Sequence, residues 1–324
     1  MLHTVRQLLT GLAAMAGLLA TGAAQATDIV LEPTQLSPHV YYFAGHSGMA
    51  AAENQGFMSN AGFVVTQDGV VVFDALGTPV LGQAMVAAIA KVTDQPIKRV
   101  IVSHYHADHL YGLQAFKALG AEILAHEAGQ AYFNSGEAQE RLEQRKADLA
   151  PWVDENTQVL GADRWLSFAD GKPQPFEMGG MHFQLIDASG GHSDGDVMLF
   201  VQEESVLFAG DLFFTGRVPF VGSADSKAWL AALERIADTQ PAVVVPGHGK
   251  ASTDPKADIQ LTREYLLYLR KEMGAAVDDM VDFEEAYAQT DWSAYENYPA
   301  FKDANRLNAY GTYLLMEKES LGGQ

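Results

Sequence analysis

The run Ser103-His104-Tyr105-His106-Ala107-Asp108-His109 decides how this chain is read. It places three imidazoles and one carboxylate within six positions, in the pattern His-x-His-x-Asp-His. Neutral imidazole and carboxylate are donors that Zn2+ and Fe2+ accept. The preceding Arg99-Val100-Ile101-Val102 reads as a short buried strand. The segment 110–119 carries apolar residues at Leu110, Leu113, Ala115, Phe116 and Leu119, which predicts a helix. A strand-to-helix turn lets side chains of both elements converge. His104 and His106 stand two apart in extended chain and so point the same way. Asp108 and His109 lie past the bend and can face a second point nearby. Two faces of donors imply two metal ions rather than one.

Three further pieces match this one, each a donor residue on a glycine-rich turn after an apolar run. His192 lies in Ala188-Ser189-Gly190-Gly191-His192-Ser193-Asp194-Gly195-Asp196. Asp211 lies in Phe208-Ala209-Gly210-Asp211, and His248 in Pro246-Gly247-His248-Gly249. Glycine lets the backbone turn sharply and approach a ligand closely. Taken singly, a histidine on a turn is ordinary surface chemistry, and an aspartate there is a turn or cap residue. Four ordered motifs behind four apolar runs are a different matter.

In that order the motifs resemble the signature of the metallo-β-lactamase superfamily over about residues 28–250. The resemblance implies an α/β fold, a four-layer αββα sandwich with the metals at one edge. It implies that His104, His106 and His192 hold one metal, Asp108, His109 and His248 the other, and that Asp211 bridges them. The expected cofactor is two Zn2+ per chain, with Fe2+ as the alternative. Asp74, which closes the apolar run Val70-Val71-Val72-Phe73, matches the family's early aspartate, whose part is to brace the ligand loop by hydrogen bonds.

The chain has 324 residues, no cysteine, and a formal charge of −20 from 41 acidic and 21 basic residues. That length buries a large core, and one catalytic domain plus an extension is expected. Without cysteine there is neither a disulfide nor a thiolate metal site. The charge argues against nucleic acid, whose phosphates demand a basic surface. A small-molecule substrate is expected instead.

Residues 1–26 read as a secretory signal peptide. His3 and Arg6 precede an apolar stretch over 8–20, and Ala24-Gln25-Ala26 is a small-x-small cleavage site. The apolar stretch is too short to predict a membrane span. The expected location is periplasmic or secreted. The catalytic domain is expected over 27–250. Strands are predicted over 40–43, 62–65, 120–124, 181–186 and 197–201, and helices over 81–92, 138–149 and 224–237. The loop 45–56 is rich in glycine and alanine and reads as a mobile flap over the metals. Residues 251–324 read as a helical extension, with helices over 258–273, 275–288 and 300–318. Its aromatic patch, Trp292, Tyr295, Tyr298 and Phe301, either packs the extension onto the core or walls the substrate cleft.

The expected chemistry is hydrolysis. Water bridging two dications becomes hydroxide near neutral pH and attacks a thioester, ester, lactone or amide-type centre. Asp108 is the expected catalytic residue, orienting the hydroxide or shuttling a proton. Two alternatives stand beside this. Class B β-lactamases carry Cys where this chain has Asp211 and Lys where it has Phe214, although Arg217 is near. The ligand set resembles glyoxalase II more closely. Persulfide dioxygenases resemble the same scaffold but use a single Fe2+, so an oxidoreductase of a sulfur or quinoprotein pathway is the second alternative.

Overall fold

A computed structural model describes residues 30–322, so the signal peptide expected over 1–26 lies outside the described residues. The described residues begin with four antiparallel strands: β1 (Thr34–Gln35), β2 (Val40–Phe43), β3 (Ala61–Thr66) and β4 (Gly69–Phe73). Helix α1 (Pro79–Val92) then crosses over, and β5 (Ile97–Ile101) pairs parallel with β4. Helices α2 (Ala107–Leu110) and α3 (Leu113–Ala118) lead to β6 (Glu122–His126). Helices α4 (Gln130–Phe133) and α5 (Gly136–Asp148) lead to β7 (Arg164–Leu166). Both strands extend the first sheet in parallel, giving seven strands in chain order.

The second sheet has five strands. Antiparallel β8 (Gln174–Met178), β9 (Met181–Asp187), β10 (Val197–Val201) and β11 (Val206–Phe214) run in sequence. Helix α6 (Ser226–Asp238) then returns the chain to β12 (Val243–His248), parallel to β11. Helices α7 (Pro255–Asp278), α8 (Phe283–Gln289) and α9 (Phe301–Gly322) complete the chain.

Side-chain alternation explains the layers. In β4, Val71 and Phe73 join the core between the sheets, against Phe183, Leu199 and Phe208. Val70 and Val72 face the other way, onto Met85, Ile89, Leu113 and Phe116 of the first helical layer. A strand covered on both faces must be apolar throughout, and β4 is buried at all five positions. The outer face of the second sheet meets Trp229, Leu233 and Ile236 of α6. The result is the expected four-layer αββα sandwich. The aromatic patch settles as packing: Tyr295 is buried in that same outer core, with Trp292 and Phe301 against it. Tyr298 is exposed.

Several elements differ from expectation. The helix predicted over 110–119 is broken at Tyr111-Gly112. The carbonyl of Asp108 accepts from Ser59 Oγ, and the Gly112 amide donates to Leu76 O, so the bond that would continue the helix is not made. The predicted boundary near Gly274 is absent, because α7 runs through it to Asp278 with Gly274 facing Met316. Edge strands β1, β7 and β8 were not anticipated. Asp211 and His248 lie within strands rather than on turns after them.

The loop 45–56 has more anchors than its small residues imply. Asn54 Oδ1 accepts from the amides of Ala51 and Gly56 (2.9 and 3.0 Å), and its Nδ2 donates to Met49 O at 2.7 Å. Trp152 Nε1 donates to Ala52 O at 2.8 Å. Met58 is buried, and Phe57 packs against the first core.

Candidate metal centre

The strand ends gather the donor residues at one edge of the sandwich. Asp74 follows β4 with φ 62°, a left-handed conformation that aspartate tolerates better than most residues. That turn aims its carboxylate at the loop after β5. Oδ1 accepts from the Ser103 amide at 2.7 Å, and Oδ2 from Ser103 Oγ at 2.8 Å. Oδ2 also lies 2.8 Å from Nδ1 of His109. Burial raises the Asp74 carboxyl above its usual range, against the pull of His109.

Seven side chains converge in two groups. His104, His106, His192 and Asp211 form one; Asp108, His109 and His248 form the other. Within each, the donor atoms lie within 4.8 Å of one another. In the first, His106 Nδ1 stands 3.0 Å from His104 Nε2 and 2.9 Å from His192 Nε2. In the second, Asp108 Oδ2 is 3.5 Å from His109 Nε2 and 3.3 Å from His248 Nε2. Asp211 stands between them. Its Oδ2 is 3.4 Å from His192 Nε2 and 3.3 Å from His248 Nε2, while Oδ1 is 3.1 Å from His109 Nε2. Gly247 makes room for this carboxylate, since a Cβ there would collide with Asp211 Oδ1.

The electrostatics split the same way. Burial pushes His104 and His106 down, and His192 to about 3, so this group is a set of neutral imidazoles. Burial acts against charge on His109 and His248 too, but Asp211 and Asp108 overrule it and raise both. Burial would raise Asp108 and Asp211, yet neighbouring His109 and His248 hold both carboxyls well below the usual range.

This donor set fits divalent cations. His109 Nε2, His248 Nε2 and Asp211 Oδ1 are fully buried and have no hydrogen-bond partner. Buried polar atoms without partners are costly and call for an explanation. Imidazole and carboxylate without thiolate suit zinc or a first-row metal. The outer ring nitrogens are occupied in the way ligand histidines require: His109 Nδ1 by Asp74, and His248 Nδ1 by Met58 O at 2.8 Å.

Two supporting residues escaped the sequence reading. Asn60 donates through Nδ2 to Pro246 O and Gly249 O, both at 2.8 Å, and fixes the turn that carries His248. Nothing marks an asparagine ahead of an apolar strand as its partner. Asp196 accepts from the Ser193 amide and Oγ, both at 2.7 Å, and closes the His192 loop. That aspartate lay inside a quoted motif, four residues past the histidine. Phe214 stacks on His248 (5.3 Å between centroids, 5° between planes), and Trp229 meets His192 edge-on at 5.0 Å. Arg217 is fully buried against Phe214 and Phe220.

The chain belongs to the metallo-β-lactamase superfamily, whose family model matches residues 54–248. It is similar to a linear primary-alkylsulfatase of Pseudomonas sp. (strain ATCC 19151), with 21% identity across 66% of this chain and 48% of the relative. The chain thus spans about half the length of that enzyme. It is also similar to a metallo-beta-lactamase type 2 of Bacteroides fragilis, with 25% identity across 67% of this chain and 78% of the relative. Among solved structures, a sec-alkylsulfatase of Pseudomonas sp. superposes with a TM-score of 0.64 at 15% identity, covering 88% of this chain and 50% of that one. A metallo-beta-lactamase from Pontibacter korlensis superposes with a TM-score of 0.55 at 22% identity, covering 73% of this chain and 97% of that one. The likenesses to solved structures establish the fold. Family and donor set together place the chain in a superfamily of metallo-hydrolases, with a His/Asp cluster able to hold metal ions.

Proposed function

We propose that the chain is a dinuclear zinc hydrolase that cleaves a thioester, ester, lactone or amide-type bond of a small molecule. His104, His106 and His192 would hold one zinc, Asp108, His109 and His248 the other, with Asp211 shared. The observation that carries the reading is the position of Asp211, whose two oxygens face both groups of imidazoles. Two divalent cations in such a cradle supply Lewis acidity toward a substrate oxygen and a nucleophilic water at neutral pH.

The protein's own part is positioning. The Asp108 side chain is 14% exposed against 4% for Asp211, so it is the carboxylate open to the cleft. Held ionised by His109 and His248, it can orient an attacking water by accepting that water's hydrogen bond. Asp74, Ser103 and Asn60 hold the histidine loops in place and spare the centre reorganisation during the reaction.

Sulfate-ester and β-lactam substrates enter through the named relatives. For β-lactams, Phe214 and the buried Arg217 present no exposed cation beside His248. We further propose cleavage after Ala26 and export; the intact mass of periplasmic material should place Thr27 first. The reaction class is tested by incubating the zinc-loaded protein with thioester, lactone, carboxylic ester, sulfate ester and β-lactam panels. Product formation without O2 uptake supports hydrolysis. O2 uptake with a persulfide, and no hydrolysis of any panel member, contradicts it.

A further inference from the structure

Helix α9 has two unlike faces. Its inner face packs on the rest of the chain, with buried Asn305 and Asn308 bonded to Tyr265 of α7 and Asn308 also to Pro219 O. Its outer face carries Leu307, Tyr310, Leu314 and Leu321. At 3.6 residues per turn these positions fall on a single stripe. Leu307 is 64% exposed and Leu321 76%, and Tyr310 and Leu314 are both nearly half exposed. One exposed leucine is ordinary, but a row of large apolar side chains along one helix marks an interaction surface.

The turn between α7 and α8 widens that surface. Tyr313 Oη donates to Val281 O at 3.0 Å, and Phe283 meets Tyr310 edge-on at 4.9 Å, so residues 281–283 lie along α9. Met280, just before them, is 91% exposed and holds φ 56° past the end of α7, where glycine is the usual residue.

Charges frame the stripe in a self-complementary order. Asp303 lies one turn before Leu307 and Lys318 one turn after Leu314, on the same side of the helix, and both are exposed. Among the described residues the ion pairs of α9 are Arg306 with Glu284 and Glu319 with Arg270, which leaves Asp303 and Lys318 unpaired. Asp303 and Lys318 are equidistant along the chain from the Tyr310-Gly311 bond, and so are Leu307 and Leu314.

We propose that two copies of this chain associate through α9, packed antiparallel about a two-fold axis beside Tyr310. Leu307 of each copy then meets Leu314 of the other, and Asp303 of each meets Lys318 of the other. A two-fold interface has to be self-complementary in this sense. A parallel pairing would set Asp303 against Asp303 and Lys318 against Lys318, which like-charge repulsion disfavours. The chain as a whole carries −20, which opposes association. On α9, however, Lys302, Arg306 and Lys318 balance Asp303, Glu317 and Glu319, so this helix does not repel its copy. The row from Asp303 to Lys318 is about 22 Å long. A stable interface covers about 800 Å2 on each partner, so the flanking turn with Met280 belongs to it. The proposal goes beyond the hydrolase reading and does not depend on it.

The test is sedimentation equilibrium of the purified protein at concentrations up to about 100 μM, enough to detect a specific interface. Wild type should be a dimer. Leu307→Lys/Leu314→Lys should raise the dissociation constant about a hundredfold or more, because it sets charges into the apolar contact. Asp303→Lys and Lys318→Asp should each weaken the dimer about threefold or more, since like charges then face each other. Asp303→Lys/Lys318→Asp should return the dissociation constant toward wild type. All four substitutions are at exposed positions, so melting temperatures should stay near wild type and show that the variants fold. A monomeric wild type, whose α9 face then meets solvent or a different partner, overturns the proposal. So does a dimer that survives the leucine variant, or charge reversals that have no effect singly or whose effects add in the double variant instead of cancelling.

Discussion

Asp74 Oδ2 and His109 Nδ1 stand 2.8 Å apart, both fully buried, and between them they orient the second group of donors. A carboxylate only accepts, so Nδ1 carries a proton, and the ring is turned so that Nε2 is aimed at Asp211 Oδ1, 3.1 Å away. The same carboxylate holds Ser103, and through Ser103 Oγ it reaches Nδ1 of His104 at 2.9 Å. One side chain thus sets an imidazole in each group. Asp74→Asn keeps the size and tolerates φ 62° but loses acceptor strength. It should weaken zinc binding by about 10–100-fold, measured by competition with a chromogenic chelator. Wild-type affinity in that variant would show that Asp74 is only a turn residue.

Metal loading should release protons. In the metal-free protein, Asp211, Asp108 and Asp74 raise His109 well above its ordinary 6.5, and Asp211 and Asp108 raise His248. Both histidines must lose a proton to ligate, so apparent zinc affinity should climb with pH until the raised values are passed. For a histidine raised by its partners, stability is fully present below the unfolded value and is lost as pH rises through the folded one. The metal-free protein should therefore lose stability toward alkaline pH while the zinc-loaded protein gains. Parallel melting curves for the two forms across pH 6–9, an interval of about three units around the histidine range, would contradict this.

The loop 45–56 should behave as a pinned arch. Asn54 and Trp152 supply four hydrogen bonds to a segment that its composition marks as loose. Hydrogen exchange of the Ala51 and Gly56 amides should be slow in wild type and speed up in Asn54→Ala with metal content unchanged. Fast exchange at both amides in wild type would restore the mobile-flap reading.

The helical extension should be needed for the stability of the strand that carries Asp211. Asn308 of α9 accepts from the amides of Val221 and Gly222 and donates to Pro219 O and Tyr265 Oη, at 2.7–3.2 Å. Three of these four bonds go to the segment that follows β11, and the fourth goes to α7. Asn308→Ala leaves those buried partners unmatched and should cost about 2–4 kcal/mol, read from denaturant unfolding. The backbone of α9 also crosses Gly222 so closely at Gly311 that a Cβ there would strike Gly222 O. A loss below about 0.5 kcal/mol, the scale of a surface change, would show that the extension docks loosely.

The donor residues were legible because metal ligation needs particular side chains at short spacings. The six positions from His104 to His109 span one strand end and one turn of helix, and local periodicity shows both. His192, Asp211 and His248 each follow or sit in an apolar run that marks a buried strand. What escaped the sequence depends on partners far along the chain. The helix breaks after Leu110 because Asp108 O turns to Ser59, forty-nine residues away. Asn60 matters only because the turn at 246–249 lies against it. β8 alternates between half-buried and exposed positions, so it lacks the apolar stripe that identified the central strands. Small residues in 45–56 suggested looseness, but one asparagine and one tryptophan outweigh them.

The central claim is that Asp211 joins two metal sites into one dinuclear centre. It is tested most directly by elemental analysis of the purified protein, loaded with excess zinc and then freed of loosely bound ion. The account predicts two equivalents of zinc per chain. One equivalent or less in a fully loaded, folded sample would contradict it.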